Sequence, residues 1–197
     1  LAWKSGWHMD NNDFLHMSAD LAEPIRHAFR AIGHEHEFIQ KEVGRDNEAY
    51  FRQRIVESIR DKGRPVLAFG VVGPPECCII TGYDEGGSVL TGWNFFQNLP
   101  EFAAGAVGQL PPASPAPTEY FHKRNWFKDT HGLIIIGERD ELPPRRDLHR
   151  EILRWGLQVA RTPVVQGRHS GLAAYDAWAE HLMRDGDFPL EDRAVLR

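Results

Sequence analysis

Cysteine is scarce in this sequence, whose 197 residues include only Cys77 and Cys78. Adjacent residues of a strand point to opposite faces, so these two side chains are poorly placed to form a disulfide with each other. Two free thiols favour a reducing compartment, and we expect a cytoplasmic protein. The sequence also lacks a secretory signal and any run of about 18 apolar residues, which predicts that no segment spans a membrane.

A basic surface and the common cofactor motifs are missing as well. The net charge of -5 gives no reason to expect nucleic acid as a partner, because phosphate binding draws on a positive surface. There is no GxxxxGK or GxGxxG phosphate loop and no GxSxG elbow, which argues against nucleotide-driven chemistry and the usual serine hydrolases. His34 and His36 can share one face of a strand, but no HExxH or paired CxxC pattern supplies further ligands. We therefore expect neither a metal nor a cofactor.

What the chain does have is a long β-rich stretch at residues 63–97. The stretch predicts three strands, at 65–72, 76–83 and 88–93, with a glycine-containing turn at 84–87 that favours a hairpin between the last two. Its nearly continuous apolar character predicts that helices cover both faces of these strands. Both thiols are then expected to be buried and slow to react.

Helices are predicted on both sides of this stretch. The first begins at Ser18 or Asp20, has Pro24 in its first turn and ends at Gly33. The other predicted elements are a strand at 34–39, a helix from Asp46 to Gly63, regular structure at 120–127, a strand at 133–137, and helices at 145–161 and 170–184. The last two helices carry apolar stripes, which are expected either to cap the sheet or to join a larger helical region; the stripes are Leu148, Ile152, Trp155, Val159 and Leu172, Tyr175, Ala179, Leu182.

The predicted domain organisation has two parts. An α+β domain spans residues 1–140 and includes a Pro- and Ala-rich loop at 103–118, and a helical region spans 141–197. Because the chain starts at Leu1 instead of Met, and because the helical stripes lack an obvious partner, we expect a fragment of a longer protein. The oligomeric state is left open.

The hairpin carries a family resemblance. The strand end Ile80-Thr81-Gly82-Tyr83-Asp84, followed by a glycine turn and a second strand, resembles the core hairpin of papain-like cysteine peptidases. Double-glycine-leader peptidases and the N-terminal domain of the butirosin biosynthesis protein H family are the most similar groups. The resemblance covers roughly residues 19–97 and implies a papain-like fold, with a mixed and mainly antiparallel sheet flanked by helices.

The same resemblance indicates where catalytic residues would stand. The family's histidine usually precedes the Gly-Tyr pair by six residues, a position that Glu76 occupies here. The residue that orients the histidine lies near Gly92 to Asn94, where only Asn94 has a suitable side chain. The nucleophilic cysteine belongs at the start of an N-terminal helix, and the segment before Ser18 contains none. The chain thus resembles the scaffold without its catalytic pair.

Two hypotheses of function follow. In the first, the domain has lost the Cys-His pair and binds a peptide or small molecule in the residual cleft, lined on one concave surface by Glu76, Tyr83, Trp93 and Asn94. In the second, the protein is a cysteine-dependent amidase, peptidase or butirosin-type acyltransferase. That enzyme would need a nucleophile from outside the fragment, or a constellation of Glu76 and Asn94 with a histidine contributed by His122 or His131.

Overall fold

The structure is a computed structural model that describes residues 18–20, 22–42, 47–73, 76–97 and 120–184. These residues form two compact units. The sheet unit lies within Ile32–Glu141, and the helical unit combines described residues from 1–31 with those from 142–197. The segment before Ser18, the predicted cap Asp46 and the predicted loop at 103–118 lie outside the described residues.

Local sequence signals place the helices and strands of both units. In chain order these are α1 (Glu23–Ile32), β1 (His34–Gln40), α2 (Glu48–Lys62), β2 (Val66–Phe69), β3 (Cys77–Asp84), β4 (Val89–Trp93), β5 (Phe121–Arg124), β6 (Gly132–Arg139), α3 (Arg145–Arg161), β7 (Val164–Val165), β8 (Arg168–His169) and α4 (Gly171–Leu182). Helix α2 ends at Gly63 as predicted, because this residue adopts a left-handed φ of 61° and donates its N–H to the carbonyl of Ile59.

The main sheet has the strand order β1-β6-β2-β3-β4-β5, and every neighbouring pair is antiparallel. Strand β6 lies between β1 and β2 although it comes last of the six in sequence. Strands β7 and β8 form a separate small hairpin in the helical unit. The predicted α+β class with a mainly antiparallel sheet is therefore confirmed.

Helix α2 packs on one face of the sheet and builds the hydrophobic core there. Its residues Phe51 and Ile55 have no exposed surface. Their strand partners alternate along the chain, as expected for one face of a sheet; these are Val66, Ala68, Cys78, Ile80, Leu90, Leu133 and Ile135. Burying a side chain of this size stabilises the fold by about 1.5–3 kcal/mol. We call this side the covered face and the opposite side the outer face.

Polar contacts fix α2 on the edge strand β1. The guanidinium of Arg54 pairs with Glu37 of β1 and, at 2.8 Å, with Glu57 of its own helix. The hydroxyl of Tyr50 donates to Glu37 at 3.2 Å. The alternation of β1 thus directs Glu37 toward α2, and this acidic residue orients the helix along the sheet.

The outer face is less well covered. Ile79, which lies between the fully buried Cys78 and Ile80, is 38% exposed, and Cys77 is also exposed. In the described part of the chain, the prediction that both faces of the central strands are covered is therefore wrong for β3, whereas in β6 the successive residues Leu133, Ile134 and Ile135 are all buried. The apolar run indicated a strand correctly, but one covering helix is enough for its alternate residues.

Strand β3 contains a β-bulge between Ile80 and Gly82. Ile80 pairs with Gly92 and Gly82 with Thr91, so β3 has one more residue than β4 over this stretch. The extra residue reverses the alternation beyond it. Tyr83 consequently stands opposite Leu90 and packs against the core on the covered face.

In the helical unit, α1 packs on α3. The carboxylate of Glu151 lies 3.0 Å from Arg30 Nε and 3.6 Å from His27 Nδ1. The His27 ring also contacts the Trp155 indole, with 4.6 Å between ring centroids. Beyond these contacts α3 and α4 are poorly covered, since neither helix has a fully buried residue. None of the described helices combines the length and apolar composition needed to cross a bilayer.

Candidate functional site

At one corner of the sheet, the backbone of Glu76 and the ring of His131 both lie next to Gly70. The N–H of Gly70 donates to the carbonyl of Glu76 at 3.1 Å, and the N–H of His131 donates to the carbonyl of Phe69 at 2.9 Å. The His131 ring lies against Gly70, where an added Cβ would be 2.6 Å from His131 Cδ2. Gly70 has φ +82°, a conformation that other residues rarely adopt. Glu76 and His131 therefore flank one glycine at the end of β2.

Asn94 is buried behind β4 and its side chain is fully engaged. Its Nδ2 donates to the carbonyl of Val72 at 3.1 Å and lies 3.4 Å from Cys78 Sγ. Its Oδ1 accepts the N–H of Phe96 at 2.6 Å, and its own N–H donates to Gln97 Oε1 at 3.1 Å. This network holds the turn after β4 against the end of β2, so the amide acts here as a structural anchor.

The two thiols lie on opposite faces, as strand alternation predicted, but only one is buried. Cys78 is buried on the covered face, whereas Cys77 is exposed, so the prediction of two buried thiols is wrong for Cys77. Desolvation by the surrounding protein nonetheless raises the pKa of Cys77 from 9.0 to about 12. Burial also raises the pKa of Cys78, and the charge of Glu76 adds to this effect. Neither sulfur is a thiolate at neutral pH, so neither is an activated nucleophile.

An aromatic pair lies on the outer face next to Ile79. Trp93 is the cross-strand partner of Ile79 and is half-buried. Phe95 follows it in the turn, is 79% exposed, and meets the indole edge-to-face with 4.7 Å between centroids. Trp93, Phe95 and Ile79 thus form an apolar surface that we call the Trp93 patch. In the sequence, the aromatic run Trp93-Asn94-Phe95-Phe96 indicates this patch. Trp93 and Asn94 were predicted as site residues from the sequence, and Phe95 was not included.

The four residues predicted to line one concave surface are distributed over different parts of the sheet unit. Glu76 is exposed at the start of β3, and Trp93 lies on the outer face. Tyr83 lies on the covered face because of the bulge, and Asn94 is 2% exposed. Glu76 and Trp93 are thus accessible, Tyr83 and Trp93 do not share a face, and Asn94 offers almost no surface.

His122 extends the outer face toward the sheet edge. It is the cross-strand partner of Thr91, and Thr91 Oγ1 shares a hydrogen bond of 3.2 Å with His122 Nδ1. Among the described residues, no group of three His, Cys, Asp or Glu side chains is arranged to hold a metal. His122 lies in β5 and bonds to Thr91, whereas His131 lies just before β6 and contacts Gly70.

Two open clefts also occur. One, of about 520 Å³, lies beside α2 and the turn after β3 and is lined by Glu48, Ala49, Arg52, Gln53, Val56 and Gly86. The other, of about 510 Å³, lies between α1 and α3 in the helical unit and contains His27 and Trp155. In the helical cleft, ion pairs already engage the charges of Glu151 and Arg30, which makes it primarily a helix-packing site.

Comparisons with protein-family models, with curated proteins and with solved structures found no match for this chain. The function must therefore be argued from the geometry of the chain itself.

The Asn94 network predicts a stability effect. Asn94→Ala should lower the free energy of unfolding by about 2–4 kcal/mol, because the Val72 carbonyl and the Phe96 N–H lose their partner inside the protein. Urea unfolding measures the change. Gln53→Ala is the control, since this exposed amide bonds only across the helix surface to Glu57, and it should shift stability by about 0.5 kcal/mol or less. An unchanged midpoint in Asn94→Ala would show that the amide does not anchor the turn.

Thiol reactivity provides a second test. With a pKa of about 12, Cys77 should react slowly with a small disulfide reagent near pH 8, and the rate should rise about tenfold per pH unit above that. Cys78 should react only in denaturant. Cys77→Ala should abolish the native phase, and Cys78→Ala should retain it. Rapid reaction of either thiol at neutral pH would contradict the raised pKa values of Cys77 and Cys78.

The raised pKa of Cys77 also makes the stability of the fold depend on pH. The unfolded chain loses this proton near 9.0, whereas the native state keeps it up to about 12. Within that pH window the native state binds more protons, so its stability falls as pH rises. Urea unfolding at several pH values between 9 and 12 measures this loss of stability, which should be smaller in Cys77→Ala than in wild type.

Proposed function

We propose that the sheet unit is a papain-like domain without a catalytic Cys-His pair, and that it binds a peptide or small molecule at the Trp93 patch. The observation that carries this proposal is the accessible contact of Trp93 with Phe95 beside Ile79 on the outer face. The papain-like assignment itself rests on the hairpin resemblance, with which an antiparallel sheet packed against helix α2 is consistent.

The chemistry of the patch favours a ligand with an apolar or aromatic group. Phe95 leaves 79% of its surface exposed and Ile79 leaves 38%, so a ligand that covers them removes apolar surface from water at roughly 25 cal/mol per Å². Trp93 is fixed by its strand and by Phe95, so little side-chain entropy is lost on binding. Rigid aromatic side chains of this kind commonly carry much of the energy of an interface.

Hydrogen-bonding groups border the patch. Thr91 and His122 continue the outer face next to Trp93 and share a hydrogen bond, and Glu76 is exposed at the start of β3. These groups can orient a ligand whose apolar part lies on Trp93. A peptide suits this layout because its backbone offers donors and acceptors beside apolar side chains.

The absence of an activated thiol among the described residues supports binding over catalysis. The pKa of Cys77 and that of Cys78 are both raised by desolvation. The Asn94 amide, which the family would use to orient a histidine, is engaged with Val72 and Phe96. A cytoplasmic location and the absence of nucleic-acid partners remain part of this proposal, on the grounds of thiol content and net charge.

Replacement of Trp93 tests the binding site. Because the ligand is unknown, the probes are anilinonaphthalene sulfonate and a fluorescently labelled apolar hexapeptide. Trp93→Ala should weaken binding by about tenfold or more, since a central aromatic contact is often worth 2 kcal/mol or more. Leu142→Ala is the control, because this apolar side chain is 51% exposed but lies outside the Trp93 patch and outside every helix and strand, and its affinity should stay at the wild-type value. Circular dichroism checks that both variants are folded. Equal binding by wild type and Trp93→Ala would remove the patch as the site.

A second function, a cysteine-dependent amidase or acyltransferase, is favoured by one observation: Glu76 and His131 flank Gly70. A carboxylate and an imidazole on either side of one glycine can act as an acid–base pair once their side chains come within hydrogen-bond reach and a nucleophile is supplied from outside the described residues.

That second function predicts turnover of a model amide or acyl thioester when the nucleophile is present. Both Glu76→Gln and His131→Asn should then reduce kcat by about 100-fold or more while probe binding persists. His122→Asn is the control, because this ring bonds to Thr91 away from that corner. Turnover unaffected by the two substitutions would exclude the Glu76–His131 pair as its basis.

A further inference from the structure

The cleft between α1 and α3 in the helical unit has an aromatic wall. This cleft, which we call the α1–α3 cleft, has a volume of about 510 Å³, a size typical of small-molecule sites. Its wall consists of the Trp155 indole and the His27 imidazole, whose centroids lie 4.6 Å apart at an interplanar angle of 34°. Both side chains are partly exposed. Ring surface of this kind is a stacking site for an aromatic ligand.

The contacts between the two helices show that they run in opposite directions. Glu151 of α3 reaches both His27 and Arg30. Trp155, one turn further along α3, contacts His27, so progress along α3 leads back toward the start of α1. Glu23 precedes His27 by one turn and lines the same cleft. The Glu23 carboxylate therefore belongs to the end of the cleft that contains the indole.

The charged groups of the cleft fall into engaged and available ones. Glu151 takes part in helix packing, and Asp147 lies 3.8 Å from Arg150. Glu23 and Arg154 also line the cleft. In the part of the chain that the structure describes, the side chains of these two residues form no ion pair or hydrogen bond, with each other or with a third group. One carboxylate and one guanidinium thus remain available beside the aromatic wall.

We propose that the α1–α3 cleft binds a zwitterionic aromatic amino acid. The ring of the ligand stacks on Trp155, its carboxylate pairs with the Arg154 guanidinium, and its ammonium group pairs with the Glu23 carboxylate. Arginine suits this role because its planar donors match a carboxylate in a bidentate pair. A ligand with a single charged group would cover the other protein charge without pairing it, which costs affinity. None of these residues belongs to the Trp93 patch.

Calorimetric titration of the full chain with three indole compounds tests the chemistry of the ligand. L-tryptophan carries both charged groups, tryptamine lacks the carboxylate, and indole-3-propionate lacks the ammonium group. L-tryptophan should bind about tenfold more tightly than either analogue, since each analogue loses one charge-assisted contact. Failure of L-tryptophan to bind at millimolar concentration overturns the proposal, as does equal affinity for all three compounds.

Two substitutions test the role of each charge. Arg154→Gln should weaken L-tryptophan and indole-3-propionate about tenfold and leave tryptamine unchanged. Glu23→Gln should weaken L-tryptophan and tryptamine by a similar factor and leave indole-3-propionate unchanged. Arg146→Gln is the control, because this exposed arginine of α3 does not line the cleft, and it should bind all three compounds like wild type.

The selectivity of these losses separates ligand contacts from damage to the fold. A substitution that merely disturbs helix packing weakens all three compounds equally, and that result in both variants overturns the proposal. Unchanged affinity for L-tryptophan in both variants overturns it as well. Trp93→Ala should bind L-tryptophan like wild type, so a failure of the α1–α3 cleft is distinguishable from a failure of the Trp93 patch.

Discussion

Among the described residues, helix α2 buries one face of the six-stranded sheet, and this packing determines most of the sheet unit. Phe51 and Ile55 of α2 are fully buried against alternate residues of the central strands. Their position decides which side chains of β2 and β3 form the core. The intervening residues, among them Ile79 and Trp93, then lie on the outer face, so the packing of α2 also selects the surface at which a ligand can bind.

Two sets of polar contacts, around Glu37 and around Asn94, add to this apolar packing. Glu37 directs Arg54 and Tyr50 of α2 onto β1, while Asn94 joins the turn after β4 to the end of β2. Each anchor ties together segments distant in sequence, and the buried Asn94 amide also satisfies the Val72 carbonyl and the Phe96 N–H. Asn94 also shows why an amide at a family-like position need not be catalytic, because its donors and acceptors are already used.

The sequence predicted the local elements well and the long-range ones poorly. Gly63 and the spacing of Phe51 and Ile55 were enough to define α2, and the glycine turn at 84–87 was enough to define the hairpin. The insertion of β6 between β1 and β2 was not predictable, because strand order depends on pairing between distant segments. The prediction that Tyr83 shares a surface with Trp93 was wrong for a related reason, the local pairing of β3 with β4. Plain alternation would have put Tyr83 and Trp93 on one face, and Gly82 was the available sign that alternation breaks there.

The bulge at Thr81 also affects how the chain can tolerate length changes. Deleting Thr81 would remove the unpaired residue and leave Tyr83 opposite Leu90 and Asp84 opposite Val89, so the core would keep the ring of Tyr83. Deleting one of the regularly paired residues of β3 would instead turn the side chains beyond it to the opposite face. Sequences descended from this one should therefore vary in length more readily across Ile80-Thr81-Gly82 than in the rest of β3.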